Sequence, residues 1–130
     1  MDNVTLTRQY LEAVASLQSA DTVAAFYAPG AVIRELPNRI APEGRTRNAA
    51  DARKAFAQGQ ALLQSQKYEV RNVVASGDEV AAEVEWTGLL AIPVMHLPAG
   101  AEMKAFVSMH LTFREGKIVS QRNYDCYLPF

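Results

Sequence analysis

The chain contains 130 residues, 49% of them hydrophobic and 21% charged. This length is sufficient for one domain with its own core, and we predict a single domain over residues 1–130. With 13 lysines and arginines against 14 aspartates and glutamates, the net charge of -1 gives no reason to expect a nucleic-acid or membrane partner.

Apolar residues recur at helical spacing near the N-terminus and predict two helices. The first runs from Leu6 to about Gln18 and has one buried face, which includes Tyr10. The second begins at an N-cap residue, Asp21, and is stopped by the Pro29-Gly30 pair. Its apolar residues are Val23, Phe26 and Tyr27.

A short strand from Ala31 to Leu36 (AVIREL) comes next, followed by the loop PNRIAPEGRTRN. The loop is long for such a connection and is therefore a candidate lid. Its arginines either bind an anionic group or keep the loop soluble. We expect solubility for Arg45 and Arg47 and leave the role of Arg39 open. A third helix then carries a stripe formed by Ala52, Phe56, Gly59 and Leu63.

After Gln66 the pattern changes to strands, with turns at Ser76-Gly77-Asp78 and Arg114-Glu115-Gly116-Lys117. Two strands alternate clearly, so each has one buried face. The buried faces contain Val80, Ala82, Val84 and Trp86, and Met103, Ala105, Val107, Met109, Leu111 and Phe113. The outer face carries Phe106 and His110, and we expect a homodimer through this side of the sheet.

Helices first and strands second indicate an α+β fold. We predict three N-terminal helices packed on a strongly curved, mainly antiparallel sheet. A curved sheet closed by helices forms a cone, and we expect it to enclose a deep hydrophobic cavity with a few polar groups.

The last strand, IVSQRNYDC, has two faces, and neither is clearly apolar. One face carries Val119, Gln121, Asn123 and Asp125. The other carries Ile118, Ser120, Arg122, Tyr124 and Cys126. Alternation therefore leaves open whether Asp125 faces the cavity or water.

Four segments follow one another in a familiar order: RQYLEAV, FYAPGAVIRELP, VEWTG and LTFREGKIVSQRNYD. Together they resemble the nuclear transport factor two-like superfamily, in particular ketosteroid isomerases and SnoaL-like polyketide cyclases. The resemblance covers nearly the whole chain and implies a cone-shaped α+β barrel. Function transfers less well than fold on such a resemblance.

The steroid isomerase pattern implies roles for several residues. A tyrosine of the first helix that donates to the developing oxyanion matches Tyr10, and a supporting tyrosine matches Tyr27. The general base matches Glu35. The second acid of that pattern falls on Met109, whose thioether cannot donate a hydrogen bond, so this chain departs from the isomerases there.

The resemblance also draws attention to the last strand. Asp125 stands where the isomerases have an aromatic residue that lines the pocket, after a tyrosine that matches Tyr124. Polyketide cyclases and epoxide hydrolases of the superfamily carry working carboxylates on late strands, so Asp125 is a second catalytic candidate. The predicted substrate contacts are Tyr27, Phe56, Trp86, Met109 and Tyr124. Phe56, Trp86 and Met109 are also what an ordinary core would contain, since in a cone the wall of the core is the wall of the ligand site.

The main candidates also have simpler interpretations. A carboxylate at a strand end, such as Glu35, is usually solvated or paired with an arginine. A tyrosine on an apolar helical face, such as Tyr10, is usually a core residue whose hydroxyl reaches a partner.

Other classes of site have little support in the sequence. The single cysteine, Cys126, excludes an intrachain disulfide, and the scattered histidines and carboxylates indicate no metal site. The N-terminus MDNVTLTRQY lacks a secretion-signal pattern, and no apolar stretch is long enough to span a bilayer. We expect a cytoplasmic protein without a cofactor or metal.

Two functional hypotheses follow. The first is a cofactor-independent acid/base enzyme of the isomerase, cyclase or lyase type that acts on a small apolar carbonyl compound. Glu35 or Asp125 would take a proton next to the carbonyl, and Tyr10, supported by Tyr27, would stabilise the enolate. The alternative is a non-catalytic protein of the same fold that binds a small apolar ligand.

Overall fold

The computed structural model describes residues 2–17 and 19–130 and contains helices packed on one curved sheet. The helices are α1 (Asn3–Ser16), α2 (Ala20–Ala24) and α3 (Ala49–Leu62). The strands are β1 (Tyr27–Glu35), β2 (Arg45–Arg47), β3 (Leu63–Ser76), β4 (Glu79–Leu90), β5 (Glu102–Arg114) and β6 (Lys117–Tyr127). The predicted α+β fold is confirmed.

The sheet has six strands in the order β2-β1-β6-β5-β4-β3. All neighbouring strands run antiparallel except β1 and β6, which are parallel. Helix α1 packs against β3 and β4, and α3 packs against β1. The buried core therefore lies between the helices and the concave face of the sheet, where Leu111 and Phe113 are among the most buried side chains.

The ends of the first two helices differ from the prediction. Helix α1 ends at Ser16, and Gln18 lies outside the described residues. The N-cap of α2 is Ser19, whose hydroxyl accepts a hydrogen bond from the Thr22 amide at 3.1 Å. Asp21, the predicted cap, lies in the first turn and forms an ion pair of 2.7 Å with Arg53 of α3.

Tyr27 was predicted at the end of the second helix, but it begins β1. The helix ends at Ala24, and Tyr27 then pairs with Ile118 of β6. A break in the register between Tyr27 and Val32 accommodates Pro29-Gly30 within the strand. Pairing with a distant strand outweighs the local helical pattern here.

A β-bulge in β6 decides which of its side chains face the helices. Ser120 pairs with Thr112 and Ile118 pairs with Phe113, so Val119 is the extra residue. The bulge moves Ile118 to the concave side, where it is fully buried together with Gln121. The prediction that Ile118 and Gln121 lie on opposite faces is wrong because simple alternation assumes an unbroken ladder.

The convex face of the sheet carries the predicted outer residues. Phe106 is 50% exposed and Tyr124 is 47% exposed. The His110 ring meets Tyr124 edge-on, with 5.5 Å between ring centroids. These side chains form an apolar surface, and the homodimer expected through it stays a prediction.

Gly88 provides a test of packing on the concave face. A Cβ atom at this position would lie 2.5 Å from a ring carbon of Trp86, because the indole covers the glycine. We expect Gly88→Ala to lower the free energy of unfolding by about 1–3 kcal/mol through overpacking. Urea unfolding followed by the fluorescence of Trp86, the single tryptophan, measures this change.

Gly59→Ala is the matched control, since a Cβ there meets nothing within 4 Å. It lies within α3, where alanine should raise the stability by about 0.5–1 kcal/mol. Equal effects of the two substitutions would contradict the close contact between Gly88 and Trp86.

Candidate active site

The concave face consists of rows of side chains that cross the strands. The first row contains Tyr68, Trp86, Ala105 and Tyr127. The second contains Val70, Val84, Val107 and Asp125. The third contains Val73, Ala82, Met109, Asn123 and Glu35. Asp125 and Glu35 therefore lie on the same side of the sheet, on adjacent strands.

A cavity of about 180 Å³ lies over these rows. Its lining residues are Gln66, Tyr68, Trp86, Ala105, Val107, Met109, Asn123, Asp125 and Tyr127. The lining is more polar than the expected hydrophobic pocket, and the volume is below the roughly 300–1,000 Å³ of typical ligand sites. A larger concavity, of about 430 Å³, lies between Arg71 and Tyr124 on the convex face, on the other side of the same strands.

Asp125 is the carboxylate that lines the cavity. Within the described chain its carboxylate has no hydrogen-bond partner and no ion pair. Burial, and secondly the nearby charge of Glu35, raise the pKa of Asp125 to about 6. A carboxylate that changes its charge close to neutral pH can both accept and return a proton.

Glu35 lies at the end of β1, and both of its carboxylate oxygens have partners. Its Oε2 accepts a hydrogen bond of 2.8 Å from the Asn38 side chain. Its Oε1 lies 3.5 Å from Arg47 Nη1 and 4.0 Å from Arg45 Nε. The expectation that both arginines serve mainly solubility is wrong, because the β1–β2 hairpin places them beside this carboxylate.

The loop before β2 is attached to the end of the chain. Arg39 Nη2 donates to the Phe130 backbone oxygen at 2.7 Å, and its guanidinium lies 4.9 Å from the centroid of that ring. Phe130 in turn contacts Tyr127, a cavity residue, with 6.3 Å between ring centroids. Arg39 thus anchors the C-terminal residues beside the cavity, and the lid role of the loop stays a prediction.

Tyr10 and Tyr27 belong to a buried hydrogen-bond chain. Tyr27 donates to Gln121 Oε1 at 2.7 Å, which leaves the Tyr10 hydroxyl to donate to Tyr27 at 2.6 Å. Gln121 Nε2 then donates to Asn123 Oδ1 at 3.1 Å. Asn123 also lines the cavity, and its side-chain N–H groups have no hydrogen-bond partner among the described residues.

Neither predicted tyrosine lines the cavity. Tyr10 and Tyr27 are both buried, and burial is the main reason why their pKa values are raised. Their hydroxyls form hydrogen bonds with each other and with Gln121. A ligand would have to break these hydrogen bonds to reach Tyr10.

The other predicted contacts separate into two groups. Trp86 and Met109 line the cavity, and Gln66 holds the indole by accepting from Nε1 at 2.8 Å. Phe56 lies on α3 and packs against the core outside the cavity lining. Tyr124 is exposed on the convex face, so its predicted contact with substrate is wrong: it precedes Asp125 and points to the opposite side of β6.

Sequence reasoning missed Tyr68, Tyr127 and Asn123. Alternation of Tyr68 with Val70 in KYEV was a usable signal for a buried face, because both lie on the concave side of β3. Asn123 and Tyr127 lie two residues before and two residues after Asp125 on β6. Their side chains therefore point to the same face as Asp125, and their positions follow once the face of Asp125 is known.

The part of the chain that the structure describes contains no group of three or more His, Cys, Asp or Glu side chains placed to hold a metal ion. Among its helices, none is long and apolar enough to cross a membrane.

Comparison with known proteins agrees with this architecture. The profile of the SnoaL-like domain family matches residues 7–121, and the chain belongs to this family. No curated protein matches the chain in sequence.

Solved structures share the fold at low sequence identity. IdmH from Streptomyces antibioticus, a candidate polyketide cyclase, is similar with a TM-score of 0.80 and 23% identity over 96% of this chain and 92% of its own. An LEH-like epoxide hydrolase from M. tuberculosis has a TM-score of 0.74 and 15% identity, over 93% and 80%. A protein with a ketosteroid isomerase-like fold from Catenulispora acidiphila, in complex with trimethylamine, has a TM-score of 0.74 and 14% identity, over 92% and 83%.

The buried hydrogen-bond chain can be tested by removing one hydroxyl. Tyr27→Phe deprives both Tyr10 and Gln121 of their shortest contact. We expect the free energy of unfolding to fall by about 1–3 kcal/mol, as measured by denaturant titration. Tyr124→Phe is the control and should have an effect below about 0.5 kcal/mol. A similar small effect of Tyr27→Phe would show that the chain of bonds contributes little.

The raised pKa of Asp125 predicts how stability depends on pH. Because the folded state binds this proton more tightly than the unfolded state, the contribution of Asp125 to wild-type stability should decline as the pH rises from about 4 to about 6 and then level off. The neutral side chain of Asp125→Asn avoids this loss. We therefore expect the variant to melt at a higher temperature than the wild type near about pH 8, with the difference vanishing below about pH 4.

Glu83→Gln serves as the control for this comparison, since it removes an exposed carboxylate of β4. Thermal melts of the three proteins over the pH range provide the measurement. An Asp125→Asn variant that is less stable than the wild type near neutral pH would contradict the desolvated state of this carboxylate.

Proposed function

We propose that this protein is a cofactor-independent acid/base enzyme that removes a proton from the carbon next to a carbonyl group of a small organic compound. The observation that supports this most directly is the Asp125 carboxylate, which lines the cavity without a partner in the described chain and has a pKa of about 6. A general base is most effective when its pKa lies near the working pH.

Asp125 suits the role of base better than Glu35. Both Glu35 oxygens already have partners in Asn38 and the arginines of β2. Its charge nevertheless contributes to the raised pKa of Asp125. Glu35 is then a residue that tunes the base, while Asp125 contacts the substrate.

The proposed step is a simple proton transfer. The Asp125 carboxylate takes the α-proton, the electron pair of the C–H bond forms the enolate, and the negative charge moves to the carbonyl oxygen. Return of the proton to another carbon gives isomerisation. Attack of the enolate carbon on a second carbonyl of the same molecule forms the C–C bond of a ring, and the alkoxide left on that carbonyl oxygen takes the proton back from Asp125.

The cavity favours a small substrate with a planar apolar part. Its volume of about 180 Å³ is small, and Trp86, Val107 and Met109 supply apolar contacts. The candidate cyclase and the epoxide hydrolase among the similar structures support acid/base chemistry as the general class, and they leave the substrate open.

Deuterium exchange tests the proposal without knowledge of the natural substrate. The protein is incubated in D₂O with a panel of small cyclic ketones and β-diketones, and NMR measures deuterium incorporation at the α-carbon. We expect catalysed exchange for at least one compound, and a loss of about 100-fold or more in Asp125→Asn, since general-base catalysis contributes about 10²–10⁴-fold.

The variants Glu35→Gln and Tyr124→Phe refine this test. Removal of the Glu35 charge should shift the rise of exchange rate with pH below the wild-type midpoint near about 6. Tyr124→Phe, on the convex face, should exchange like the wild type. Undiminished exchange in Asp125→Asn would refute the proposal. Ligand retention without any exchange would favour the non-catalytic binding protein instead.

A further inference from the structure

An enolate in the cavity needs hydrogen-bond donors at its oxygen, and the tyrosine matched to this role by resemblance is engaged elsewhere. The Tyr10 hydroxyl has Tyr27 and Gln121 as partners and lies outside the cavity lining. Met109, at the position of the second donor, has no hydrogen to donate. The donors of this chain must therefore come from other residues.

Two phenol groups meet the requirement. Tyr68 on β3 and Tyr127 on β6 both line the cavity, at opposite ends of the first cross-strand row. Neither hydroxyl has a hydrogen-bond partner in the described part of the chain. No fully buried side-chain oxygen or nitrogen in that part lacks a partner either. Neither hydroxyl oxygen is therefore fully buried, and both residues line the cavity.

The two residues between the phenols in this row, Trp86 and Ala105, also line the cavity. The Trp86 indole meets the Tyr127 ring edge-on, with 6.1 Å between centroids, and this contact fixes one wall. Asp125 lies in the adjacent row, two residues before Tyr127 on the same face.

We propose that the hydroxyls of Tyr68 and Tyr127 form the oxyanion-binding pair of this cavity, so that its ligands are enolisable carbonyl compounds or the phenols that resemble their enolates. This inference rests on the function proposed above. When the Asp125 carboxylate takes the α-proton, the charge moves to the carbonyl oxygen and both phenols donate to it. When the proton returns to carbon, the charge leaves the oxygen again.

The electrostatics of the two phenols agree with a donor role. Burial, followed by the effects of Tyr10 and Asp125, raises the pKa of Tyr68. Burial, followed by Asp125 and Glu35, raises the pKa of Tyr127. Both phenols therefore keep their protons at neutral pH and remain hydrogen-bond donors.

The test uses para-nitrophenol as an enolate analogue, because its absorbance reports whether the bound probe is the phenol or the phenolate. Titrations are made in the Asp125→Asn background, which imitates the uncharged Asp125 present once the proton has been transferred. Adding Tyr68→Phe or Tyr127→Phe should each weaken phenolate binding by about 10- to 100-fold, as expected for a hydrogen bond to a charged group. Tyr124→Phe should leave binding unchanged.

Several outcomes would overturn the proposal. Unchanged affinity in both phenylalanine variants, or no saturable binding of the probe, would do so. A loss of binding in Tyr10→Phe but not in Tyr68→Phe would assign the donor to the first helix instead. Circular dichroism of each variant checks that the fold is intact, and the two tyrosines lie on different strands, so each variant tests the pair independently.

Deuterium exchange separates this inference from the proposed function. Tyr68→Phe should slow the exchange by about 100-fold, as for loss of one oxyanion donor. Exchange that depends on Asp125 but not on Tyr68 or Tyr127 would leave the base in place and refute the phenol pair. Probe binding that depends on Tyr68 in a protein without exchange would support the pair and refute the catalytic base.

Discussion

The β-bulge at Val119 is the constraint on which the site depends. It allows Ile118 to remain in the core while the residues from Gln121 onward present every second side chain to the concave face. Without the extra residue, burial of Ile118 would turn Asp125 toward solvent, because a shift of one position exchanges the two faces of a strand. The bulge thus joins a hydrophobic core at one end of β6 to a polar cavity at the other.

The polar side chains of the concave face fall into two sets, one with hydrogen-bond partners inside the protein and one without. In one set the polar groups bond to each other: Tyr10, Tyr27 and Gln121 form a series of hydrogen bonds that ends at the side-chain oxygen of Asn123. The other set consists of Tyr68, Asp125 and Tyr127, which line the cavity and have no side-chain hydrogen-bond partner among the described residues. Leaving a carboxylate such as Asp125 desolvated and unpaired destabilises a fold, and sites of this kind are typical of function rather than of packing.

The sequence was sufficient to predict the layer order, both tight turns and the alternation of β4 and β5, because these features depend on neighbouring residues. It was insufficient for features that depend on pairing between strands far apart in the sequence. Tyr27 belongs to a strand because Ile118 lies beside it, and Arg47 neutralises Glu35 only because β2 folds back on β1. Resemblance directed attention to Asp125, which lines the cavity, but it also assigned to the cavity Tyr124, which is exposed on the convex face.

The hydrogen-bond donors that line this cavity come from other elements than in the steroid isomerase pattern. In that pattern a tyrosine of the first helix donates to the oxyanion. Here the matching tyrosine, Tyr10, belongs to the hydrogen-bond chain that ends at Asn123, and Met109 adds an apolar wall to the cavity. Tyr68 lies across the strands from Asp125, and Tyr127 lies two residues after Asp125 on the same face of β6. A substrate would therefore bind with its carbonyl oxygen toward Tyr68 and Tyr127, and its reacting carbon would lie over the row of Asp125.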